Sequence, residues 1–354
     1  MRFKLFGPDT PLTETARDIV AEDLDALSAR AASGWDINKK FQVCESSWEL
    51  PITLALVENK LRVVDWLLEC KVDLNAKGDP AFVTASKNCD AAMLARLAAR
   101  GAAIDQFDNV GKSAWSAALY SDRYDLLPEL LKLGLPVDID RGVSLRQAAF
   151  NRQKDAVRFF IEHGHDPNLR VSNMVFPNNP TVVAIAAQSG DLEMVRFLVE
   201  HGADISLKDD YGDRPFSLAA KGGHLELTAY LRSLEDPRLH DIENRMLELR
   251  AHHLTPDLVE FLRRPTRRVE ISGRAQRFLE FHHLLDVREL KWKRRTVIDL
   301  LANADGYWEK GFLVWSPRDR KLAHADIEHE RFLVLCTWQE FAIDARKWID
   351  SIFE

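Results

Sequence analysis

One short motif, met six times, restricts this chain more than any other feature. It reads Gly34-Trp35-Asp36-Ile37-Asn38, Lys71-Val72-Asp73-Leu74-Asn75, Gly101-Ala102-Ala103-Ile104-Asp105, Gly134-Leu135-Pro136-Val137-Asp138, Gly164-His165-Asp166-Pro167-Asn168 and Gly202-Ala203-Asp204-Ile205-Ser206. The first positions step by 37, 30, 33, 30 and 38 residues. A glycine one step past a last helical turn can adopt the left-handed conformation that closes the helix. Six such endings at a near-constant interval imply a row of like units, each too small to bury a core alone and so obliged to stack.

The stretch Thr181 to Ala220 shows the unit most fully. Val182 to Gln188 is small and apolar, and Leu192 to Glu200 carries Val195, Leu198 and Val199 on one stripe, so two short helices are expected. The first helix of each unit opens on related text: Leu50-Pro51-Ile52-Thr53-Leu54-Ala55, Ser113-Ala114-Trp115-Ser116-Ala117-Ala118, Thr181-Val182-Val183-Ala184-Ile185-Ala186 and Arg214-Pro215-Phe216-Ser217-Leu218-Ala219. These are versions of Thr-Pro-Leu-His-x-Ala, and with the period they make residues 14 to 235 resemble the ankyrin-repeat family. The histidine of that pattern is missing throughout, so the hydrogen bonds it normally makes between units are expected to be absent. Glu14 to Asn38 reads as a polar cap, with Asp18, Glu22, Asp23 and Asp25 on its outer face. An insertion, Val171 to Pro180, lengthens one finger and offers Met174, Val175 and Phe176 either to a partner or to packing on the next finger.

After Asp236-Pro237 the period stops. Helices are expected over Ile242 to His252, Pro256 to Arg263 and Trp338 to Ile352, and short strands at Val269 to Ile271, Phe278 to Phe281, Gly311 to Trp315 and Phe332 to Leu335. This order of elements resembles the SUKH superfamily, which includes many bacterial immunity proteins and a yeast regulator of cell-wall synthesis. The matching features are Thr255-Pro256-Asp257-Leu258-Val259-Glu260-Phe261-Leu262, Gly311-Phe312-Leu313-Val314-Trp315-Ser316-Pro317 and Trp338-Gln339-Glu340-Phe341; the family's Asn-Gly after the first of these is replaced by Arg263-Arg264-Pro265. The expected fold is mostly α: residues 1–13 as a lead-in, an ankyrin-repeat solenoid of about seven units over residues 14–235, and a smaller α+β domain over residues 236–354.

An apolar content of 46% over 354 residues suits about two soluble domains. No run approaches the ~18 apolar residues of a membrane helix, and the apolar part of Met1 to Pro8 is too short for a secretory signal, so the cytoplasm is the expected compartment. Cys44, Cys70, Cys89 and Cys336 are too scattered for a zinc or disulfide framework. Net charge is −7, with 27 basic and 34 acidic residues up to residue 235 and 21 of each beyond it. Gly111-Lys112-Ser113 ends like a phosphate-binding loop, but Gln106 stands where that loop needs glycine, and a finger turn explains the triplet. His163, His165 and His201 sit at expected helix C-termini, and His252, His253, His282, His283, His324 and His329 lack ligand spacing, so no metal is expected. No nucleophile turn or flagged carboxylate pair appears, so neither catalysis nor a cofactor is expected. The clusters Arg263 to Arg268 and Lys291 to Arg295 could grip phosphates, form a solvated basic face or dock on acidic surface; no nucleic-acid partner is expected.

What the ankyrin resemblance implies is a partner face made of finger turns and the two positions after each inner-helix alanine pair. Carried onto this sequence, these are Glu58, Lys87, Asn88, Asn109, Val110, Lys112, Tyr120, Ser121, Phe150, Asn151, Gln188, Ser189, Asp210, Tyr211, Asp213 and Lys221. Tyr120, Phe150 and Tyr211 are the aromatic anchors among them. The two resemblances together imply a bacterial cytoplasmic immunity protein that neutralises a toxin or effector domain. A general ankyrin scaffold or host-directed adaptor is the alternative.

Overall fold

A computed structural model describes residues 10–271, 278–304, 312–326 and 329–352. The chain divides into two compact units. The first comprises residues up to Pro177, Thr181–Ala186 and Glu193–Asp204; the second comprises Asn178–Pro180, Ala187–Leu192 and the chain from Ile205 onward.

Helices come in pairs, and the pairing follows from the apolar pattern. The pairs are α1 (Glu14–Ala21) with α2 (Leu24–Ala32), α3 (Pro51–Val57) with α4 (Leu61–Glu69), α5 (Ala81–Asn88) with α6 (Ala91–Ala99), α7 (Ala114–Tyr120) with α8 (Leu127–Lys132), α9 (Val143–Phe150) with α10 (Lys154–Glu162), α11 (Val182–Gln188) with α12 (Leu192–Glu200), and α13 (Pro215–Lys221) with α14 (Leu225–Leu234). A hairpin of β1 (Phe41–Cys44) and β2 (Ser47–Glu49), not anticipated from sequence, precedes α3. The first helices are short and buried nearly all round, as α7 is from Ala114 to Leu119, because they are covered by their own partner and by the next unit's first helix. The second helices bury one stripe only, such as Val63, Val64, Leu67 and Leu68 of α4. Asp23, Asp90 and Ser113 cap α2, α6 and α7 by accepting a backbone N–H. Gly202 closes α12 at φ +89°, the left-handed conformation the motif predicts. The helices over Val182–Gln188 and Leu192–Glu200 are those expected.

The asparagine of the ending motif has its own task. Asn75 accepts the N–H of Ala103 at 2.7 Å and donates to the carbonyl of Gly101 at 3.0 Å, tying its unit to the next. Asn168 repeats both bonds with Asp204 and Gly202, at 2.8 and 2.9 Å.

Hydrogen bonds between units thus persist without the histidine's own, and a different set forms where the histidine would stand. Ser116 occupies that position in α7, and with Ser113 and Ser144 it surrounds the buried carboxylate of Asp140. The Ser113 hydroxyl donates to Asp140 at 2.9 Å, the Ser144 N–H donates to both carboxylate oxygens at 3.2 Å, and the Ser116 and Ser144 hydroxyls are 2.8 Å apart. Small hydroxyls fit between closely packed inner helices and still satisfy the buried acceptor. One turn further on, Arg146 of α9 is wholly buried, donates to the carbonyls of Gly142 and Val171, and has its pKa pulled down to about 10 by burial. Its guanidinium lies 4.9 Å from the Phe176 ring centre. Phe176 is thus buried beneath the long finger, while Met174 and Val175 remain exposed.

In the second unit, beyond α14, α15 (Ile242–Leu249) and α16 (Pro256–Leu262) precede eight strands: β3 (Arg268–Glu270), β4 (Phe278–Phe281), β5 (Arg288–Trp292), β6 (Arg295–Asp299), β7 (Leu301–Ala304), β8 (Phe312–Ser316), β9 (Lys321–Asp326) and β10 (Arg331–Val334). The sequence signalled β3, β4, β8 and β10; β5, β6, β7 and β9 are additional, and Gly311 lies outside the described residues. One antiparallel sheet runs β10-β9-β8-β6-β5 and a second runs β3-β4-β7. The closing helix breaks into α17 (Trp338–Ile343) and α18 (Ala345–Asp350), because Asp344 leaves the helical region and caps α18. Leu258, Leu262, Phe281, Trp315, Trp338 and Phe341 form the core.

Candidate protein-binding groove

Within the first unit, the ends of α3, α5 and α7 and the fingers ahead of α5 and α7 enclose a cavity of about 410 Å³. Its walls include Lys87, Asn88, Asn109, Lys112 and Tyr120, five residues the repeat register assigned to the partner face. The register brings them together because successive inner helices present equivalent positions side by side. Neighbouring fingers join through a bridge between Gly78 and Asp108, where the Asn109 N–H donates to the Gly78 carbonyl at 2.8 Å. The finger turn at Asp108 is closed as expected, with Gly111 at φ +79° and the Asp108 carboxylate accepting the N–H of Val110 and of Lys112.

Tyr120 is 51% exposed at the end of α7. The Lys112 ammonium stands 3.9 Å from its ring centre and that of Lys87 stands 5.5 Å away. Two cations thus stand over one ring, each contact worth about 0.5–1 kcal/mol at exposed sites. Opposite charge also lines the cavity, as Glu49, Asp79 and Asp108. Lys40 pairs with Asp79 at 2.5 Å, while burial pushes the Glu49 carboxyl above its usual value. Thr53, in the histidine position of its unit, is buried, and its hydroxyl has no hydrogen-bond partner among the described residues. Glu49, Thr53, Asp79 and Asp108 were not singled out from sequence. The β1–β2 hairpin that carries Glu49 gives no repeat signal, and the others precede the positions the family pattern marks.

The other assigned residues do not join this cavity. Glu58 and Ser121 follow α3 and α7 as half-buried caps, and Val110 is a 70%-exposed fingertip. Phe150, exposed beside Asn151, meets Phe176 edge-on at 6.2 Å. In the second unit, the Gln188 carbonyl lies 3.2 Å from a ring nitrogen of His224, and Ser189 follows it in the chain. Asp210 and Tyr211 remain exposed on the finger before α13. Asp213 does not belong to a free face: it is 6% exposed, bound by Lys221 at 2.8 Å and by Arg288 at 3.1 Å, so Lys221 is engaged as well. A finger carboxylate was read as surface because Arg288 lies far off in sequence.

The histidines at helix ends turn inward to their own helices, with His163 and His201 each bonding a carbonyl one turn back at 2.7 and 2.8 Å. Among the described residues, no group of three His, Cys, Asp or Glu side chains could hold a metal ion, and no helix is long and apolar enough to cross a membrane. A family model for ankyrin repeats matches residues 145–241 in three copies, the stretch that holds α9 to α14. No curated protein matches the chain. Ankyrin repeats are protein-binding units, and their presence here indicates a protein-binding module.

Proposed function

We propose that the helix pairs from α1 to α14 are seven ankyrin-type units, and that the chain binds a protein partner in the groove over α3, α5 and α7 with Tyr120 as its anchor. The observation that supports this most is the convergence of Lys87, Asn88, Asn109, Lys112 and Tyr120 on one cavity. An exposed aromatic ring ringed by polar groups is what an interface hot spot requires. The test is a photo-crosslinking residue in place of Tyr120, followed by affinity measurement with the partner it captures. Tyr120→Ala is expected to weaken that complex by about 2 kcal/mol or more while leaving the melting temperature unchanged. Equal affinity in the variant would remove the groove from consideration.

Within that class, we read the partner as a toxin or effector domain and the chain as a cytoplasmic immunity protein of a bacterium. The support is the pairing of the repeats with an α+β region, residues 236–354, whose order of elements resembles the SUKH superfamily. Rescue of growth on co-expression with a toxin encoded beside the gene is the expected result. The alternative, a general scaffold or adaptor, needs only the ankyrin repeats, and a housekeeping partner crosslinked at Tyr120 would favour it.

A further inference from the structure

The basic text around Arg295 takes on a specific shape in the second unit. β5 and β6 meet at a two-residue turn, Lys293-Arg294, with Trp292 opposite Arg295. β6 pairs with β8 through Ile298 and Trp315, and continuing that antiparallel register past the last paired residues carries Arg295 toward Arg318. The result is a cleft of about 380 Å³ lined by Arg294, Arg295 and Arg318 together with Thr296, Ser316, His252 and Glu289.

The charges in the cleft do not cancel. Arg294, Arg295 and Arg318 stand against two carboxylates, Glu289, which lies 3.2 Å from a His252 ring nitrogen, and Asp319, which pairs with Arg295 at 3.2 Å. Asp319 also accepts the Ser316 hydroxyl at 2.6 Å, which fixes both groups. Arg294 and Arg318 have no carboxylate partner among the described residues, so two planar guanidinium forks face one small space. Three nearby cations do have carboxylate partners: Lys293 pairs with Glu330 at 2.7 Å, Arg264 with Glu260 at 2.9 Å and Arg268 with Glu270 at 2.6 Å. A cleft of this size admits one compact anion, whereas successive phosphodiesters need an extended track of cations.

We infer that this cleft is an anion site for a single small phosphomonoester, held by Arg294 and Arg318 and bordered by Arg295. Guanidinium forks match phosphate oxygens two at a time, and a dianion answers two uncommitted cations. The site is independent of the groove at Tyr120.

The test is calorimetric titration of the full chain at low salt with inorganic phosphate and with glycerol 1-phosphate. Binding is expected, and R294A/R318A is expected to weaken it by at least about tenfold, since two charge-assisted pairs are lost. R264A/R268A is expected to leave it unchanged, and R294K/R318K to recover part of the loss. Both arginines are exposed turn residues, and a circular dichroism melt checks that each variant is folded. Absence of binding up to about 10 mM, which is affinity weaker than about −3 kcal/mol, would overturn the inference. An equal loss in R264A/R268A would do the same. Tighter, steeply salt-dependent binding of a single-stranded oligonucleotide would overturn it in favour of a phosphodiester track.

Discussion

The two units bury different kinds of polar group. In the first, the buried polar side chains are mostly hydroxyls, those of Thr53, Ser86, Ser113, Ser116, Ser144 and Thr181, with Asp140, Arg146 and His165 as its buried ionisable groups. In the second they are mostly ionisable: Asp209, Asp213, Glu235, His282, Asp299, His324 and Asp326. The difference reflects how contacts are made. Repeats meet their neighbours about 33 residues away at equivalent positions, so short neutral groups suffice to join them. The second unit joins elements of unlike register, and long charged side chains bridge them, as Arg288 does from β5 to Asp213 ahead of α13 and to His282 at 3.1 Å. Hydroxyl clusters tolerate loss of a member better than ion pairs do, because an orphaned charge costs more than an orphaned dipole.

The largest effect of losing a buried charge is expected at Glu235. Its carboxylate is 1% exposed and meets Arg214 at 2.9 Å and His240 at 2.9 Å. Burial raises the Glu235 pKa against the pull of Arg214, so Arg214 is the partner that keeps it charged. Glu235→Ala leaves Arg214 with no counter-charge in a largely dry site, and a loss of about 3–5 kcal/mol is expected in urea denaturation. The paired change R214M/E235L is expected to restore most of it. A loss below about 1 kcal/mol for the single variant would show that the second unit does not depend on its buried charges.

A smaller effect is expected at Asp140, the acceptor at the centre of the serine cluster. Asp140→Ala removes the acceptor of Ser113 and Ser144 and takes a favourable charge from buried Arg146, which keeps its two carbonyl acceptors, and about 1–3 kcal/mol should be lost. Hydrogen exchange should place that loss in α7 and α9, which carry the serines, with the second unit unaffected. A loss equal to that of Glu235→Ala would erase the distinction between the units.

How much of this was legible in the chain follows the same division. The ends of α11 and α12 could be read to the residue, because small apolar text, an N-terminal signal and Gly202 all agree on them. Five groove residues followed from counting repeats. Asp213 was misassigned because register marks a fingertip as surface unless something distant covers it, and Arg288 does so from 75 positions downstream. The serine cluster carries no repeat signature, because the family pattern marks the Ser116 position with a histidine. Strands β5 and β6 were hidden in Arg288–Trp292 and Arg295–Asp299, where charged residues alternate so densely that the text reads as a basic patch. The break at Asp344 was obscured by apolar spacing that continues in phase across it.

The smallest expected effect is one of pH, and its sign separates the units. Burial lowers the pKa of His240, His283 and His324, all in the second unit. A base whose pKa is lower folded than unfolded contributes stability above its unfolded value, near 6.5, and that contribution is lost as pH falls toward the folded value. Glu235 and Asp209, also in the second unit, are raised by burial and act the other way, but their unfolded values, 4.5 and 3.8, lie lower. Between pH 7.5 and 5.5 the histidines should therefore dominate. In the first unit Glu49 is raised, so acidification favours folding there. Peptide-resolved hydrogen exchange at the two pH values, corrected for the intrinsic rate, is expected to show β9 and the segment around His240 losing protection while α3 and α5 do not. If the second unit gained protection on acidification, its buried histidines would not be the groups that set its response, and the carboxylates around Arg214 and Arg288 would take that place.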